Sequence, residues 1–365
     1  MFPSRITTPL PSDPQSEDIF SSALSSLFTD VVQNNHGVPG GHLTYHSPRF
    51  GKIDLRIPQY PHVEEGRKLF AHYLWNAAVI AADGLETASF DEELGSHSDG
   101  HGEQDALEWE KRYWDVRGKR ILELGAGTAL PSIISARSGA LSATITDHPS
   151  SPALTNGTIE QNVRTNITER SESCGADTQS SPTSPSRPGP VDIFGYTWGT
   201  TTMYMPSRYG TRAEQQPLDF DRIVIADCLW MRSQHVNLVR TILHYLRRED
   251  RSQHPASPAE SCALVVAGFH TGRETVRHFF EVATGEYRLP PPSSSETEED
   301  DKDKRRATDE DQELEAAEDV TGHLRAAEIF EIDVNGLRRP WEPVRTGENK
   351  DQAQRWCVVA VLVRR

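Results

Sequence analysis

Two glycines separated by one residue follow a short apolar run, and an acidic residue lies about twenty positions downstream. The run and the turn read Leu122-Glu123-Leu124-Gly125-Ala126-Gly127-Thr128. Glycine lets a ligand approach the backbone closely, and a helix that begins after the turn offers free N–H groups. Asp147 ends the next apolar run, where a carboxylate can accept hydrogen bonds from the hydroxyls of a ribose. This spacing predicts a nucleotide site formed by Glu123, Gly125, Ala126, Gly127 and Asp147.

Two other interpretations of the turn remain open at this point. A dinucleotide-binding turn would look similar, although the third glycine of GxGxxG is missing. The glycines could also serve packing alone, with Asp147 capping the next helix. Glu123 has a structural interpretation as well, because a carboxylate inside a buried strand must find hydrogen-bond donors.

Further candidates lie beside other predicted elements. Trp198 follows the third predicted strand, where an aromatic face can stack on a base. Ala226 ends the fourth, at the edge where open α/β sheets bind ligands, and Asp227 follows it. Trp75 lies in a predicted amphipathic helix over 64–83, and its indole can cover a cation favourably. Core packing is the alternative for both tryptophans, and capping of the helix that follows Ser233 is the alternative for Asp227.

Short apolar runs alternate with amphipathic segments, which is typical of βαβ units around a parallel sheet. The predicted strands are 120–124, 143–147, 191–196, 221–227, 263–268, 327–332 and 356–363. The predicted helices are 64–83, 129–138, 152–166, 234–247 and 273–283. We therefore predict an α/β fold. Its sheet is Rossmann-like, seven-stranded and mostly parallel, with a terminal antiparallel hairpin and an N-terminal helical or β extension.

The composition limits the classes of function. The 365 residues include 38 Lys and Arg against 54 Asp and Glu, a net charge of −16, and 36% are hydrophobic. The acidic balance argues against direct binding of nucleic acid. No apolar run reaches the roughly 18 residues of a membrane helix, and residues 1–40 lack the regions of a secretory signal. The four cysteines lie far apart without CxxC spacing, which predicts neither a zinc site nor disulfides. We expect a cytoplasmic protein, with the nucleus as the alternative.

Stretches rich in Ser, Pro, Gly and acidic residues predict unstructured segments. They are residues 1–41 and insertions at about 87–105, 169–190 and 290–319. The last contains the acidic block Glu296-Thr297-Glu298-Glu299-Asp300-Asp301, which is typical of a solvated, self-repelling linker. We therefore predict a single domain over 42–365 that these insertions interrupt.

Four pieces of the chain resemble the class I, S-adenosylmethionine-dependent methyltransferases. The closer resemblance is to the family-16, seven-beta-strand enzymes that modify lysines and N-termini of proteins. The pieces are Leu69-Phe70-Ala71-His72-Tyr73-Leu74-Trp75-Asn76-Ala77-Ala78, the loop over 122–131, Tyr196-Thr197-Trp198-Gly199 and Ala226-Asp227-Cys228-Leu229-Trp230. Fungal members include the elongation factor 1-alpha methyltransferases and proteins labelled nicotinamide N-methyltransferase-like.

The resemblance implies S-adenosylmethionine as the cofactor, held by the glycine turn, Asp147, Trp75, Trp198 and Ala226. Asp227 is the acid of what looks like the family's DxxY/F motif and would orient the amine that accepts the methyl group. Trp230 stands where Tyr or Phe is common, so it keeps an aromatic wall but changes the width of the acceptor channel. The resemblance also implies a monomer and a protein substrate, with a translation factor among the candidates.

Protein N-methylation is therefore the leading hypothesis. The alternatives are methylation of a small amine such as nicotinamide, and a cofactor-binding scaffold without turnover. A dinucleotide oxidoreductase is disfavoured by the missing third glycine and by the terminal hairpin. Methyl transfer from a sulfonium depends mainly on positioning and exclusion of water, and we therefore expect His235 and His270 to cap or pack rather than to catalyse.

Overall fold

The computed structural model describes residues 2–9, 34–60, 71–90, 109–169, 188–204, 213–214, 219–248, 260–286 and 319–365. Most of the segments predicted to be unstructured lie outside these residues. So do residues 61–70, which include the start of the predicted helix 64–83.

Fifteen strands and eight α-helices are described. The strands are β1 Ile6–Thr7, β2 Asn35–His36, β3 His42–Ser47, β4 Gly51–Arg56, β5 Leu74–Trp75, β6 Arg120–Leu124, β7 Ser142–Asp147, β8 Val191–Gly195, β9 Met203–Tyr204, β10 Ala213–Glu214, β11 Arg222–Ala226, β12 Cys262–Gly268, β13 Leu324–Asp333, β14 Arg338–Pro340 and β15 Trp356–Arg364. The α-helices are α1 Asn76–Ala88, α2 Lys111–Trp114, α3 Leu130–Arg137, α4 Pro152–Thr155, α5 Thr158–Val163, α6 His235–Tyr245, α7 Arg273–Thr284 and α8 Lys350–Ala353. None of these helices is long and apolar enough to cross a membrane.

The main sheet has a core of seven strands in the order β8-β7-β6-β11-β12-β15-β13, with β9 and β10 beyond one edge and β14 beyond the other. The first five of these strands run parallel to one another. β15 is antiparallel to both of its neighbours, β12 and β13. This topology confirms the predicted α/β fold with a mostly parallel sheet. The chain order reverses between β6 and β11, which is where open sheets of this kind form a ligand crevice.

Alternate residues of the central strands enter two apolar cores, one on each face of the sheet. In β6, Ile121 packs in the core that contains α1 and α3, whereas Leu122 packs in the core that contains α6 and α7. In β11, Val224 lies in the first core, and Ile223 and Ile225 lie in the second. Coverage of both faces explains why consecutive apolar residues predominate in these strands.

The N-terminal extension contains a small antiparallel sheet. β3 and β4 form a hairpin, and β1 pairs with β3 through Ile6 and Tyr45. Phe2 is fully buried, and its N–H donates to the carbonyl of Val334 at 3.0 Å. Residues 2–9 and 34–41 therefore differ from the predicted unstructured segment 1–41, because distant strands supply the partners that their composition does not reveal.

Two predicted helices are also corrected. Trp75 does not lie inside a helix: it pairs with Asn35 in an extended conformation (φ −89°, ψ 148°), and α1 begins only at Asn76. The predicted helix 152–166 is interrupted by Gly157, whose φ is +69°. That glycine separates α4 from α5, and the chain then continues as a π-helix over Arg164–Thr168.

Candidate functional site

The glycine turn between β6 and α3 packs closely on the segment after β11. Gly125 and Gly127 have φ values of +64° and +54°, in the left-handed region that side chains disfavour. A Cβ on Gly125 would lie 2.7 Å from Sγ of Cys228. A Cβ on Gly127 would have the carbonyl of Ala71, at 3.9 Å, as its nearest neighbour. The turn is therefore tight at Gly125 and leaves room for a ligand beside Gly127.

Asp147 ties the end of β7 to this turn. Its Oδ2 accepts the N–H of Gly127 at 2.8 Å, and its Oδ1 accepts the N–H of His148 at 2.7 Å. The hydroxyl of Ser151 is a further partner of this carboxylate. A carboxylate has about four acceptor sites, so the group can still accept a hydrogen bond from a ligand hydroxyl. Burial raises the pKa of Asp147, and the backbone donors partly offset that rise. The next helix is capped by Ser151 instead, so helix capping does not explain Asp147.

Glu123 lies beneath the turn, inside β6. Its Oε2 accepts the N–H of Ser132, in the first turn of α3, at 3.0 Å. Burial raises the pKa of the Glu123 carboxyl to about 8, so the group holds a proton at neutral pH in the free protein. Glu123 also faces the cavity described below. A cationic ligand group beside it would favour the ionised carboxylate.

Two aromatic residues after β8 form one wall of the site. The hydroxyl of Tyr196 donates to the carbonyl of Thr200 at 2.7 Å and lies 3.1 Å from Oγ1 of Thr241. These contacts fix the turn that carries Trp198. The Trp198 ring reaches to 3.4 Å from where a Cβ of Gly125 would stand. An indole beside the glycine turn can stack on a planar ligand group.

Asp227 follows Ala226, the last residue of β11, in a strained backbone conformation. Its φ of +58° is unusual for a non-glycine residue, and such strain is concentrated at functional sites. Its Oδ1 accepts the N–H of Gly268 at 3.2 Å, and burial raises the pKa of its carboxyl. The following helices receive no side-chain cap. Helix capping therefore does not explain this aspartate either.

His270, which follows β12, connects Trp75 to Asp227. The rings of His270 and Trp75 stack with centroids 4.8 Å apart and an interplanar angle of 19°. Nδ1 of His270 lies 3.8 Å from Oδ1 of Asp227. Tyr73 meets Trp75 edge to face, with centroids 6.1 Å apart. The sequence indicates that His270 follows a strand, but no sequence pattern reveals its stacking on the distant Trp75.

One cavity gathers all of the predicted site residues above the carboxyl ends of β6, β7 and β11. The predicted cofactor residues that line it are Trp75, Glu123, Gly125, Ala126, Gly127, Asp147, Trp198 and Ala226, and the predicted catalytic residues are Asp227 and Trp230. The cavity is also lined by residues for which the sequence predicts no role in the site, among them Tyr73, Thr128, Tyr196, Cys228 and His270. Segments that are distant in the sequence bring these residues to the cavity, so no local pattern predicts that they line it.

Two neighbouring polar residues have structural partners instead. Asn76 lies 2.7 Å from a ring nitrogen of His36. His235 lies 2.9 Å from His278, and burial lowers the pKa of both imidazoles. The prediction that His235 packs is thus consistent with its buried contacts. Within the described part of the chain, no group of three or more His, Cys, Asp or Glu residues is placed to hold a metal ion.

The strand order, the antiparallel β15 and the cavity at the switch point define the class: a Rossmann-like fold of the class I methyltransferase type. A family model described as lysine methyltransferase matches residues 58–176. That region contains Trp75, the glycine turn and Asp147. The match confirms the resemblance to the family-16, S-adenosylmethionine-dependent methyltransferases.

Curated fungal proteins named protein N-terminal and lysine N-methyltransferase EFM7 are similar to this chain. The protein from Gibberella zeae is 28% identical over 177 residues, which cover 48% of this chain and 53% of that protein. The protein from Kluyveromyces lactis is 30% identical over 190 residues, which cover 52% and 58%. The chain thus matches little more than half the length of these relatives.

Solved structures with similar folds share little sequence with this chain. A SAM-dependent methyltransferase from Aquifex aeolicus is 10% identical, with a TM-score of 0.28, covering 68% of this chain and 83% of that one. The [4+2]-cyclase SpnF is 12% identical, with a TM-score of 0.34, covering 84% and 98%. The assignment of the fold rests on the strand order given above.

Proposed function

We propose that this protein is an S-adenosylmethionine-dependent N-methyltransferase that modifies a lysine or the N-terminal amine of a protein. The main support for the proposal is that two aspartates line the same cavity, each at the carboxyl end of a different strand. Asp147 holds the glycine turn at the end of β7, and Asp227 stands at the end of β11. The first suits a nucleoside and the second an amine. The names of the fungal relatives support a protein as the acceptor.

The residues of the cavity fit the cofactor. Asp147 would accept a hydrogen bond from a ribose hydroxyl at an acceptor site that its contacts with Gly127, His148 and Ser151 leave open. Trp198 would stack on the adenine, and Glu123 would face the cationic amino group. The indole of Trp75 would cover the sulfonium. When bound, this cofactor supplies a methyl group on an electrophilic, positively charged sulfur.

The chain's own contribution is to position the amine and exclude water. The carboxylate of Asp227 can accept an N–H of the amine and fix the direction of its lone pair. Trp230 and Met231 line the same end of the cavity, and their apolar surface restricts access of water. Positioning of this kind can supply about 7–11 kcal/mol of the barrier in well-oriented reactions.

The acidic character of the chain supports a basic acceptor. A net charge of −16 favours encounter with Lys-rich or Arg-rich protein segments and disfavours nucleic acid. We extend the proposal to a translation factor as the acceptor, and to a monomer in the cytoplasm. The three described cysteines are buried free thiols, which suits a reducing compartment.

Transfer of labelled methyl from S-adenosylmethionine into a fungal cell extract tests the proposal. The products are separated into protein and small-molecule fractions, and the Asp227→Ala variant serves as the matched control. Label in a discrete protein band, absent with the variant, is the expected result. Label confined to small amines would overturn the assignment of a protein acceptor, and binding of the cofactor without any transfer would indicate a scaffold.

A further inference from the structure

We propose that His270 accepts the proton that the acceptor amine must lose before methyl transfer, with Asp227 stabilising the imidazolium that results. This inference rests on the proposed function and adds a catalytic residue to it. It goes beyond positioning by Asp227, because it supplies a destination for the proton.

The chemistry requires such a destination. A lysine amine has a pKa of about 10.4 in water, so it enters the site as an ammonium without a lone pair. In the proposed step, an N–H bond of the ammonium breaks and its proton passes to Nδ1 of His270. The freed lone pair forms the new N–C bond, and the methyl–sulfur bond breaks with its electrons remaining on sulfur. Imidazole is the side chain that exchanges protons most readily near neutral pH.

The geometry places one amine between the two groups. Nδ1 of His270 and Oδ1 of Asp227 are 3.8 Å apart, too far for a direct hydrogen bond. An ammonium that sits at the mouth of this gap can donate one N–H to each atom. The side chain of His270 is 20% exposed and that of Asp227 is 7% exposed. Both line the cavity, so the pair is accessible from the cavity and largely shielded from bulk water.

The imidazole is held in place from several sides. One face stacks on Trp75. A Cβ on Gly268 would lie 3.1 Å from Nδ1 of His270, so the backbone passes close beneath the ring. The preceding residue, Phe269, stacks on Trp341 with centroids 5.9 Å apart and an interplanar angle of 10°. A proton acceptor held this firmly meets the requirement for a fixed donor–acceptor geometry.

Titratable groups on several elements share the cavity with His270. Asp227 faces its Nδ1 from the segment after β11. Glu123, Asp147 and Tyr73 line other parts of the same cavity. The nearest cation along the chain, Arg273, is bound to Glu331 at 2.5 Å and to Glu348 at 2.6 Å. Its charge is therefore paired with these two carboxylates.

Two substitutions separate proton transfer from packing. His270→Phe keeps a flat ring against Trp75 but cannot take a proton, and His270→Gln keeps a polar group but loses the ring. His244→Gln, at an exposed position on α6 outside the cavity, is the matched control. Binding of S-adenosylmethionine is measured by calorimetry. Methyl transfer to the protein band labelled by the wild type is measured from pH 6 to pH 10.

The wild-type rate should depend only weakly on pH between about pH 7.5 and pH 10, because the ammonium passes its proton to His270 inside the site. In both His270 variants the rate should fall by about a hundredfold at pH 7.5. It should then rise about tenfold per pH unit as the free amine forms in solution, and should approach the wild-type rate near about pH 9.5. Cofactor affinity should stay within about threefold of the wild type, and His244→Gln should behave as the wild type does.

A wild-type pH profile in His270→Phe would overturn the inference and leave the proposed function intact. Loss of cofactor binding in both variants would also overturn it, because His270 would then have a structural role. Absence of transfer to any protein by the wild type refutes the proposed function itself, and the inference fails with it.

Discussion

Replacing Gly125 by alanine should destabilise the protein through two separable effects. The left-handed φ of +64° costs a residue with a side chain about 1–2 kcal/mol. The added Cβ would stand 2.7 Å from Sγ of Cys228, and relief of such overpacking costs about 1–3 kcal/mol. We therefore expect Gly125→Ala to lower the free energy of unfolding by about 2–5 kcal/mol.

Gly127→Ala is the matched comparison. Its φ of +54° imposes the same kind of strain, but its Cβ would meet nothing closer than 3.9 Å. We expect a loss of only about 1–2 kcal/mol in stability. A methyl group there would occupy the open space beside the turn, so Gly127→Ala should weaken binding of S-adenosylmethionine.

Urea unfolding followed by tryptophan fluorescence measures both variants. A double-mutant cycle with Cys228→Ala isolates the contact, because removing Sγ should relieve the overpacking in Gly125→Ala and give a coupling of about 1–2 kcal/mol. Cys228→Ala alone carries its own cost, since Sγ contacts the carbonyl of Leu124 at 3.2 Å. Equal losses in the two glycine variants, together with a coupling near zero, would refute the packing of the turn on Cys228.

Three further predictions concern Glu123 and Trp230 in the cavity and the ion pair of Arg273 outside it. The pKa of Glu123 is about 8 in the folded protein against 4.5 for its usual value. The cofactor-free wild type should therefore lose stability as the pH rises between these values, and Glu123→Gln should remove that slope in unfolding experiments. Arg273→Gln should cost about 1–3 kcal/mol of stability in urea unfolding, because Arg273 binds the fully buried Glu331 at 2.5 Å, which keeps Arg339 as a second partner at 2.6 Å. Trp230→Tyr should keep the rate of methyl transfer within about threefold and Trp230→Ala should lower it at least about tenfold, with cofactor affinity unchanged in both when measured by calorimetry.

The parallel sheet and the cofactor side of the cavity are predictable from local patterns. The runs that become β6, β11 and β12 are mostly apolar, because both faces of the sheet are covered, and β7 alternates Ala and Ile with Thr. The glycine turn and Asp147 follow from spacing along a single βαβ unit, whose geometry varies little. In these regions, residues that are close together in the sequence are also neighbours in the structure, so local patterns suffice to predict them.

The remaining features depend on contacts between distant segments. The amphipathic pattern around Trp75 predicts a helix. The residue is instead extended, because it pairs with Asn35. The β3–β4 hairpin does show alternation, with Leu43, Tyr45, Ile53 and Leu55 buried. That pattern could have predicted strands there. The stacking of His270 on Trp75 joins β12 to β5 and has no local signature.

The most direct test of the account is calorimetric titration of S-adenosylmethionine into the wild type and into Asp147→Ala and Asp227→Ala, with methyl transfer assayed on the same samples. Asp147→Ala should bind at least about tenfold more weakly, because a hydrogen bond to a charged group contributes about 1.5–3 kcal/mol. Asp227→Ala should bind as the wild type does and lose transfer. Unchanged binding by Asp147→Ala would contradict the proposed cofactor site, and full transfer by Asp227→Ala would contradict the proposed role of Asp227.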